Sequence, residues 1–151
     1  MEKISKNDLR KVQSLFNATM AGDLEGIKTI LAHKIHNIDG DIINESMNIG
    51  EIDSKGWGRR PIHVAVIAGH YDILQYLIEN GANINKKTKY GDTALHFCVH
   101  YNRYKIFMYL LDHGADWTIK NNVNLNTMDL AKEQNKESFI KELEKSRDGK
   151  K

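Results

Sequence analysis

Apolar residues recur at helical spacing along the chain, in short runs that glycine and polar residues separate. One run begins at Pro61 and ends before Gly69, and the next ends before Gly81. The second run places four apolar residues on one helical face: Ile73, Leu74, Leu77 and Ile78. Proline suits the first turn of a helix because the amide it lacks would be unpaired there, and glycine ends helices because it adopts left-handed backbone. The pattern therefore predicts helices over about residues 61–68 and 71–80.

The same pattern returns after 33 residues. The offset pairs Pro61-Ile62-His63 with Ala94-Leu95-His96, Gly58 with Gly91, Leu77-Ile78 with Leu110-Leu111, and Asn80-Gly81-Ala82 with His113-Gly114-Ala115. A further step of 33 places Asn124 at the position of Gly91, and we expect Gly58, Gly91 and Asn124 to supply the tight turn of each unit. Helices this short cannot bury an apolar face alone, so the period predicts helix pairs that are stable only when they are stacked.

A unit of 33 residues with a turn and two antiparallel helices resembles the ankyrin repeat. Arg60-Pro61-Ile62-His63 and Thr93-Ala94-Leu95-His96 stand where that family has Thr-Pro-Leu-His. The resemblance implies one all-α solenoid domain over residues 1–151, with repeats at about 8–34, 55–87, 88–120 and 121–145. The two central repeats match well, and the first and last match as terminal capping repeats do.

One connection is longer than the period allows. Gly22 and Gly69 lie 47 positions apart, which is 14 more than 33. The surplus falls in an inserted connection at about 35–54 that is rich in isoleucine, so we expect it to be packed rather than free in solvent. One hypothesis is that this segment is itself a recognition element that covers the groove as a lid.

The composition is that of an ordinary soluble protein, with 40% hydrophobic and 28% charged residues. A net charge of +2 gives no general electrostatic reason for binding nucleic acid or membrane. The single cysteine, Cys98, excludes a disulfide within the chain and is expected at a small-residue core position. No apolar run resembles a secretory signal or a membrane span, so the expected location is the cytoplasm.

The histidines are the residues that most suggest catalysis or metal binding. His63 and His96 occupy the same repeat position, and the resemblance implies that they are structural hydrogen-bonding residues that tie neighbouring turns together. The pairs His33/His36 and His96/His100 have spacings that could place two metal ligands on one helical face. No third ligand is evident nearby. We therefore predict that the chain is not an enzyme and has no metal or cofactor.

The candidate contact residues lie at the turn tips and on the inner helices, because in ankyrin proteins these surfaces line a concave groove that holds a partner. Trp57, Tyr90 and Val123 occupy one repeat position in successive units, and large rigid side chains are typical of binding hot spots. The predicted partner-binding residues are Trp57, Arg59, Ile67, Lys89, Tyr90, Asp92, His100, Tyr101, Val123 and Leu125. Trp117 instead replaces an aliphatic residue and is expected to be partly buried.

The function that this reasoning favours is a cytoplasmic adaptor, scaffold or stoichiometric inhibitor that binds another protein. Lysines near the turns could favour a partner with an acidic surface. The unbound protein is expected to be a monomer that contacts neither nucleic acid nor membrane. The alternative is a metal-dependent or enzymatic module built on the inserted connection with His33 and His36.

Overall fold

The computed structural model describes residue 15, residues 17–32 and residues 58–149. Within these ranges the regular secondary structure is helical, without a strand, so the prediction of an all-α fold is confirmed. Residues 17–21 are helical, and the helices that follow are α1 (Leu24–Ala32), α2 (Pro61–Ala68), α3 (Tyr71–Glu79), α4 (Ala94–His100), α5 (Tyr104–Asp112), α6 (Thr127–Glu133) and α7 (Glu137–Asp148). The inserted connection at about 35–54, His33, His36 and Trp57 lie outside the described residues.

The helices from α2 onward form two layers. Helix α2 packs against α3 of its own unit and against α4 of the next, and α4 packs in turn against α5 and α6. Helices α3 and α5 contact each other, and α7 packs against α6. Thus α2, α4 and α6 form an inner layer, whereas α3, α5 and α7 form an outer layer. Each unit is stabilised by its neighbours, as expected of a solenoid.

The core lies between these layers. Helix α2 is buried from Pro61 to Val66, with α3 of its own unit and α4 of the next unit packed against it. Three of the four apolar residues predicted to share a face of α3 are fully buried, and the fourth, Ile78, is half-buried and packs against the core. Between α5 and α7 the rings of Phe107 and Phe139 meet edge to face, with their centroids 4.8 Å apart. Burial of these side chains is the main source of stability.

Two buried histidines, one on α2 and one on α4, connect these inner helices to a turn later in the chain. The Nδ1 atom of His63 accepts a hydrogen bond from the Arg60 amide at 2.9 Å, so its proton sits on Nε2, which donates to the Lys86 carbonyl oxygen at 2.8 Å. In His96 the Nδ1 contact is repeated, with the Thr93 amide donating at 3.1 Å. Its Nε2 lies 2.9 Å from the carbonyl oxygen of Leu125, which is a later position in the unit than that of Lys86. The structural role predicted for both histidines is confirmed.

A second set of hydrogen bonds joins the units where the outer helices begin. Arg103, the residue before α5, donates from Nε to the Val66 carbonyl oxygen at 3.1 Å and from Nη2 to that of Ile67 at 2.7 Å. These carbonyls lie in the last turn of α2, where the amide four residues later no longer donates to them. In the preceding unit the Nε2 atom of His70 lies 3.3 Å from the Met20 carbonyl oxygen. This arginine contact was not predicted from the sequence.

Gly69 ends α2 as the sequence predicted. Its φ of 80° is left-handed, and its amide donates to the carbonyl oxygens of Ala65 at 3.0 Å and Val66 at 3.1 Å. A Cβ atom at this position would lie 2.9 Å from Cζ of Arg103. Glycine is therefore favoured both by the backbone conformation and by the close approach of the guanidinium.

The buried histidines should make the stability depend on pH. Burial lowers the pKa of His63 to about 4, and burial also lowers the pKa of His96. In the unfolded chain these histidines take up a proton near pH 6.5, whereas in the folded chain burial keeps them neutral to lower pH. Their contribution to the free energy of unfolding is therefore complete above pH 6.5 and is lost as the pH falls towards 4. We expect His63 alone to reduce the free energy of unfolding by roughly 2 kcal/mol between pH 7 and pH 5. Urea unfolding of wild type and His63→Gln at both pH values measures this difference. The variant should be less stable than wild type at pH 7, but its free energy of unfolding should fall less between pH 7 and pH 5. An equal fall in both proteins would assign the pH dependence to other groups.

The guanidinium of Arg103 should contribute measurably to stability. Replacing it by alanine leaves two helix-end carbonyls without their charged donor, so Arg103→Ala should lower the free energy of unfolding by about 1–3 kcal/mol. Lys141→Ala, at an exposed position of α7, is the matched control and should change it by less than about 0.5 kcal/mol. Arg103→Lys should be intermediate, because an ammonium cannot reproduce the planar pair of donors. Equal effects of Arg103→Ala and Lys141→Ala in urea unfolding would contradict the assignment.

Candidate functional site

Two tip turns, residues 88–92 and 121–125, are related by the 33-residue period. In each, the first residue donates its amide to the carbonyl oxygen of the last, at 2.8 Å from Thr88 to Asp92 and at 3.0 Å from Asn121 to Leu125. Positive φ angles occur at all three positions predicted to supply the turns, namely Gly58, Gly91 and Asn124. That prediction is confirmed, and asparagine replaces glycine at the third position because it tolerates left-handed backbone better than most residues.

The two tip turns are hydrogen-bonded to each other. Asn122 donates its amide to the Tyr90 carbonyl oxygen and its Nδ2 to the Lys89 carbonyl oxygen, both at 2.9 Å. The Nδ2 atom of Asn121 donates to Oδ1 of Asp92, also at 2.9 Å. These three bonds fix the position of one turn relative to the next. Side chains carried by the tip turns are therefore presented on a braced backbone.

Large apolar side chains are exposed on the predicted binding face. The exposed fractions are 54% for Tyr90 and 72% for Val123 at the tips, and 42% for Tyr101 at the end of α4. Met20, at the end of the first helical segment, is 50% exposed. Among the described residues, the other large apolar side chain exposed to this degree is Tyr104 at the start of outer helix α5. Four of these five side chains thus lie on the tips and inner-helix ends.

The centre of this face has an aromatic floor. Phe97 is 7% exposed, and the centroid of its ring lies 6.4 Å from that of Tyr101. Cζ of Arg59 lies 5.9 Å from the centroid of the Phe97 ring, within cation–π range. A cavity of about 320 Å³ opens here, lined by Arg59, Thr88, Tyr90, Asp92 and Phe97. Sequence reasoning did not identify Phe97 or Thr88, because the periodicity marks the first as core and the second as an ordinary turn residue.

The remaining predicted contact residues are less available. Ile67 and Leu125 are half-buried and pack against the core, so only part of each side chain can meet a partner. His100 is exposed, and its Nδ1 lies 2.7 Å from Nε2 of Gln134, which holds the ring against the next unit. Trp57, the aromatic residue predicted for the preceding tip, lies outside the described residues.

Basic side chains surround the tips. Lys87, Lys89 and Lys120 are exposed, and Arg59 is half-buried beside Phe97. Asp92 is the acidic residue of the first tip turn, and its carboxylate accepts the hydrogen bond from the neighbouring turn. The tips therefore present more positive than negative charge to solvent.

Two residues that could have been read as functional are structural. Cys98 is fully buried, and its burial raises the pKa of the thiol well above the ordinary value, so the reactive thiolate is disfavoured. Trp117 is half-buried and packs against the core, which confirms the role predicted for it.

The described part of the chain contains no group of three or more histidine, cysteine, aspartate or glutamate side chains placed to hold a metal ion. His33 and His36, the candidates for such a site, lie outside it. None of the helices seen in residues 17–32 and 58–149 has the length and apolar character needed to cross a bilayer.

Comparison with known proteins agrees with this architecture. Residues 15–121 match the model of a family described as ankyrin repeats in three copies. Ankyrin repeat protein OPG189 of Variola virus is 34% identical over 62 residues, which cover 40% of this chain and 11% of that protein. Ankyrin repeat protein OPG189 of Monkeypox virus is also 34% identical over 62 residues, which cover 38% of this chain and 11% of that protein. The chain thus corresponds to a small part of these relatives. Ankyrin repeats are generally non-enzymatic modules for protein–protein interaction, and this chain belongs to the ankyrin-repeat family.

Proposed function

We propose that this protein is a cytoplasmic adaptor or stoichiometric inhibitor that binds a partner protein across its tip turns and inner-helix ends. The observation that carries the proposal is the gathering of exposed Tyr90, Tyr101 and Val123 on that face. Tyrosine is enriched at binding hot spots because a large rigid ring buries much area at a small cost in side-chain entropy. The partner would cover these side chains and the floor formed by Phe97.

The construction of the tips supports this role. The hydrogen bonds from Asn121 and Asn122 hold the second tip turn against the first, so the contact residues need little ordering when a partner binds. Preorganisation raises affinity because less conformational entropy is lost on association. A monomer with such a surface can mask a complementary face of another protein without chemistry.

The charges favour an acidic partner. Exposed Lys87, Lys89 and Lys120 lie on or next to the tip turns and surround the apolar contact residues. A positive rim around a hydrophobic centre accelerates encounter with a negatively charged surface and orients it.

The tyrosines of the tip and inner helix should be required for partner capture. We expect Tyr90→Ala/Tyr101→Ala to weaken capture from a cell lysate by at least about tenfold, because each ring removed is a hot-spot contact. Capture is measured by affinity purification and quantitative mass spectrometry against wild type. Tyr104→Ala, which removes a tyrosine of 40% exposure from the outer layer, is the matched control and should retain the same partner.

Stability separates a binding defect from a folding defect in this comparison. Both variants are therefore checked by urea unfolding, with Gln75→Ala on α3 as a second control on the outer layer. Loss of capture in Tyr104→Ala or Gln75→Ala, with the double variant unaffected, would place the binding surface on the outer helices and contradict the proposal.

The lysines should act mainly on the rate of association. Once the partner has been identified, Lys87→Gln/Lys89→Gln/Lys120→Gln should slow association by roughly tenfold at low salt and change dissociation little. The difference should shrink as salt is added, because exposed charges are screened. Surface plasmon resonance at two salt concentrations measures both rates. An association rate that is independent of these lysines at low salt would exclude an acidic partner surface.

A further inference from the structure

The cavity beneath the first tip turn combines aromatic surface with two opposite charges. Phe97 forms the floor and Tyr90 a wall, while Arg59 and Asp92 supply the charges. Thr88 also lines the cavity, and its hydroxyl oxygen accepts a hydrogen bond from the Asp92 amide at 3.3 Å. At about 320 Å³ the cavity lies at the lower end of the volumes of small-ligand pockets, and that volume accommodates one large side chain.

We propose that this cavity receives a neutral aromatic side chain of the partner that carries one hydrogen-bond donor, a tyrosine or tryptophan. Its ring would pack against Phe97 and Tyr90, and its O–H or N–H would donate to the carboxylate of Asp92. The inference rests on the proposed function, because it names the part of the partner that anchors in the groove.

The charges determine that the occupant is neutral. An anionic side chain would be attracted by Arg59 but repelled by the carboxylate of Asp92. A cationic side chain would be attracted by Asp92 but repelled by the guanidinium of Arg59. A neutral ring avoids both repulsions. It also offers a π face to the guanidinium of Arg59, which already lies over the ring of Phe97.

The carboxylate determines that the occupant carries a donor. An ionised carboxylate can accept about four hydrogen bonds, and Asn121 supplies one of them to Asp92. A ring without a donor would displace water from this carboxylate and return no hydrogen bond, which is unfavourable. A phenol or an indole replaces the water with a charge-assisted bond.

Small probes test the cavity without the partner. Titrations of the 15N-labelled full chain with p-cresol, toluene and 4-methylbenzoate are followed by amide chemical shifts. We expect p-cresol to bind most tightly and to shift the amides of Thr88, Tyr90, Asp92 and Phe97. Toluene is the more hydrophobic molecule, so it would bind better than p-cresol if apolar contact alone decided the affinity. Tighter binding of toluene or 4-methylbenzoate, or shifts elsewhere in the chain, would overturn the proposal.

A charge substitution tests the role of the carboxylate. Asp92→Asn keeps the shape of the side chain and an oxygen for Asn121 but removes the charge, so p-cresol affinity should fall about fivefold while toluene affinity stays unchanged. Asp112→Asn, an exposed position on α5, is the control and should affect neither probe. Equal p-cresol affinity in wild type and Asp92→Asn would exclude the carboxylate as acceptor. If p-cresol fails to bind while Tyr90→Ala/Tyr101→Ala still abolishes capture, the cavity assignment fails and the proposed function stands. If p-cresol binds as expected but capture is independent of Tyr90 and Tyr101, the proposed function fails instead.

Discussion

The architecture depends on one constraint: helices of this length cannot exist alone in water. Helix α4 has seven residues, α2 has eight, and α3 and α5 have nine each, all below the roughly 12 residues at which an isolated helix becomes even marginally stable. Each helix therefore exists because the next unit covers it. The burial of α2 against α3 and α4 is an example. Stacking leaves the side chains of Tyr90 and Val123 at the tips exposed.

Polar contacts between units give the stack its register. Apolar burial alone would tolerate small sliding movements, because it is not directional. A buried imidazole that must satisfy both nitrogens tolerates little, since an unpaired buried donor is costly. His63 thus holds α2 at a fixed distance from Lys86, just before the first tip turn, and His96 holds α4 at a fixed distance from Leu125, the last residue of the second. At the opposite end of α2, the bonds of Arg103 hold the start of α5 against the last turn of α2. The surface between these two sets of bonds is held rigid by them.

The repeat made much of this predictable. Once Pro61 and Gly69 had located one helix, the 33-residue offset located its counterparts and placed a tight turn at Asn124. The resemblance to ankyrin repeats then assigned His63 and His96 to structure. What the offset cannot predict is a contact that one unit makes with the side chains of another when those side chains differ between units. Arg103 stands where the preceding unit has His70, and its two bonds to α2 depend on a reach that histidine lacks. The cavity above Phe97 was missed for a related reason, because it arises from the distance between Arg59 and the first tip turn.

The histidine bonds also give the stack a direction. In both, the donor lies earlier in the chain than the carbonyl that receives it, at Lys86 for His63 and at Leu125 for His96. If the last unit opens, the buried N–H of His96 loses its acceptor in apolar surroundings. Between residues 17–21 and α3, the contact of His70 Nε2 with the Met20 carbonyl oxygen is longer, at 3.3 Å, and lies at the surface, where water can replace it. Opening of the last unit is thus opposed by a buried polar contact as well as by apolar packing, and both keep the second tip turn closed.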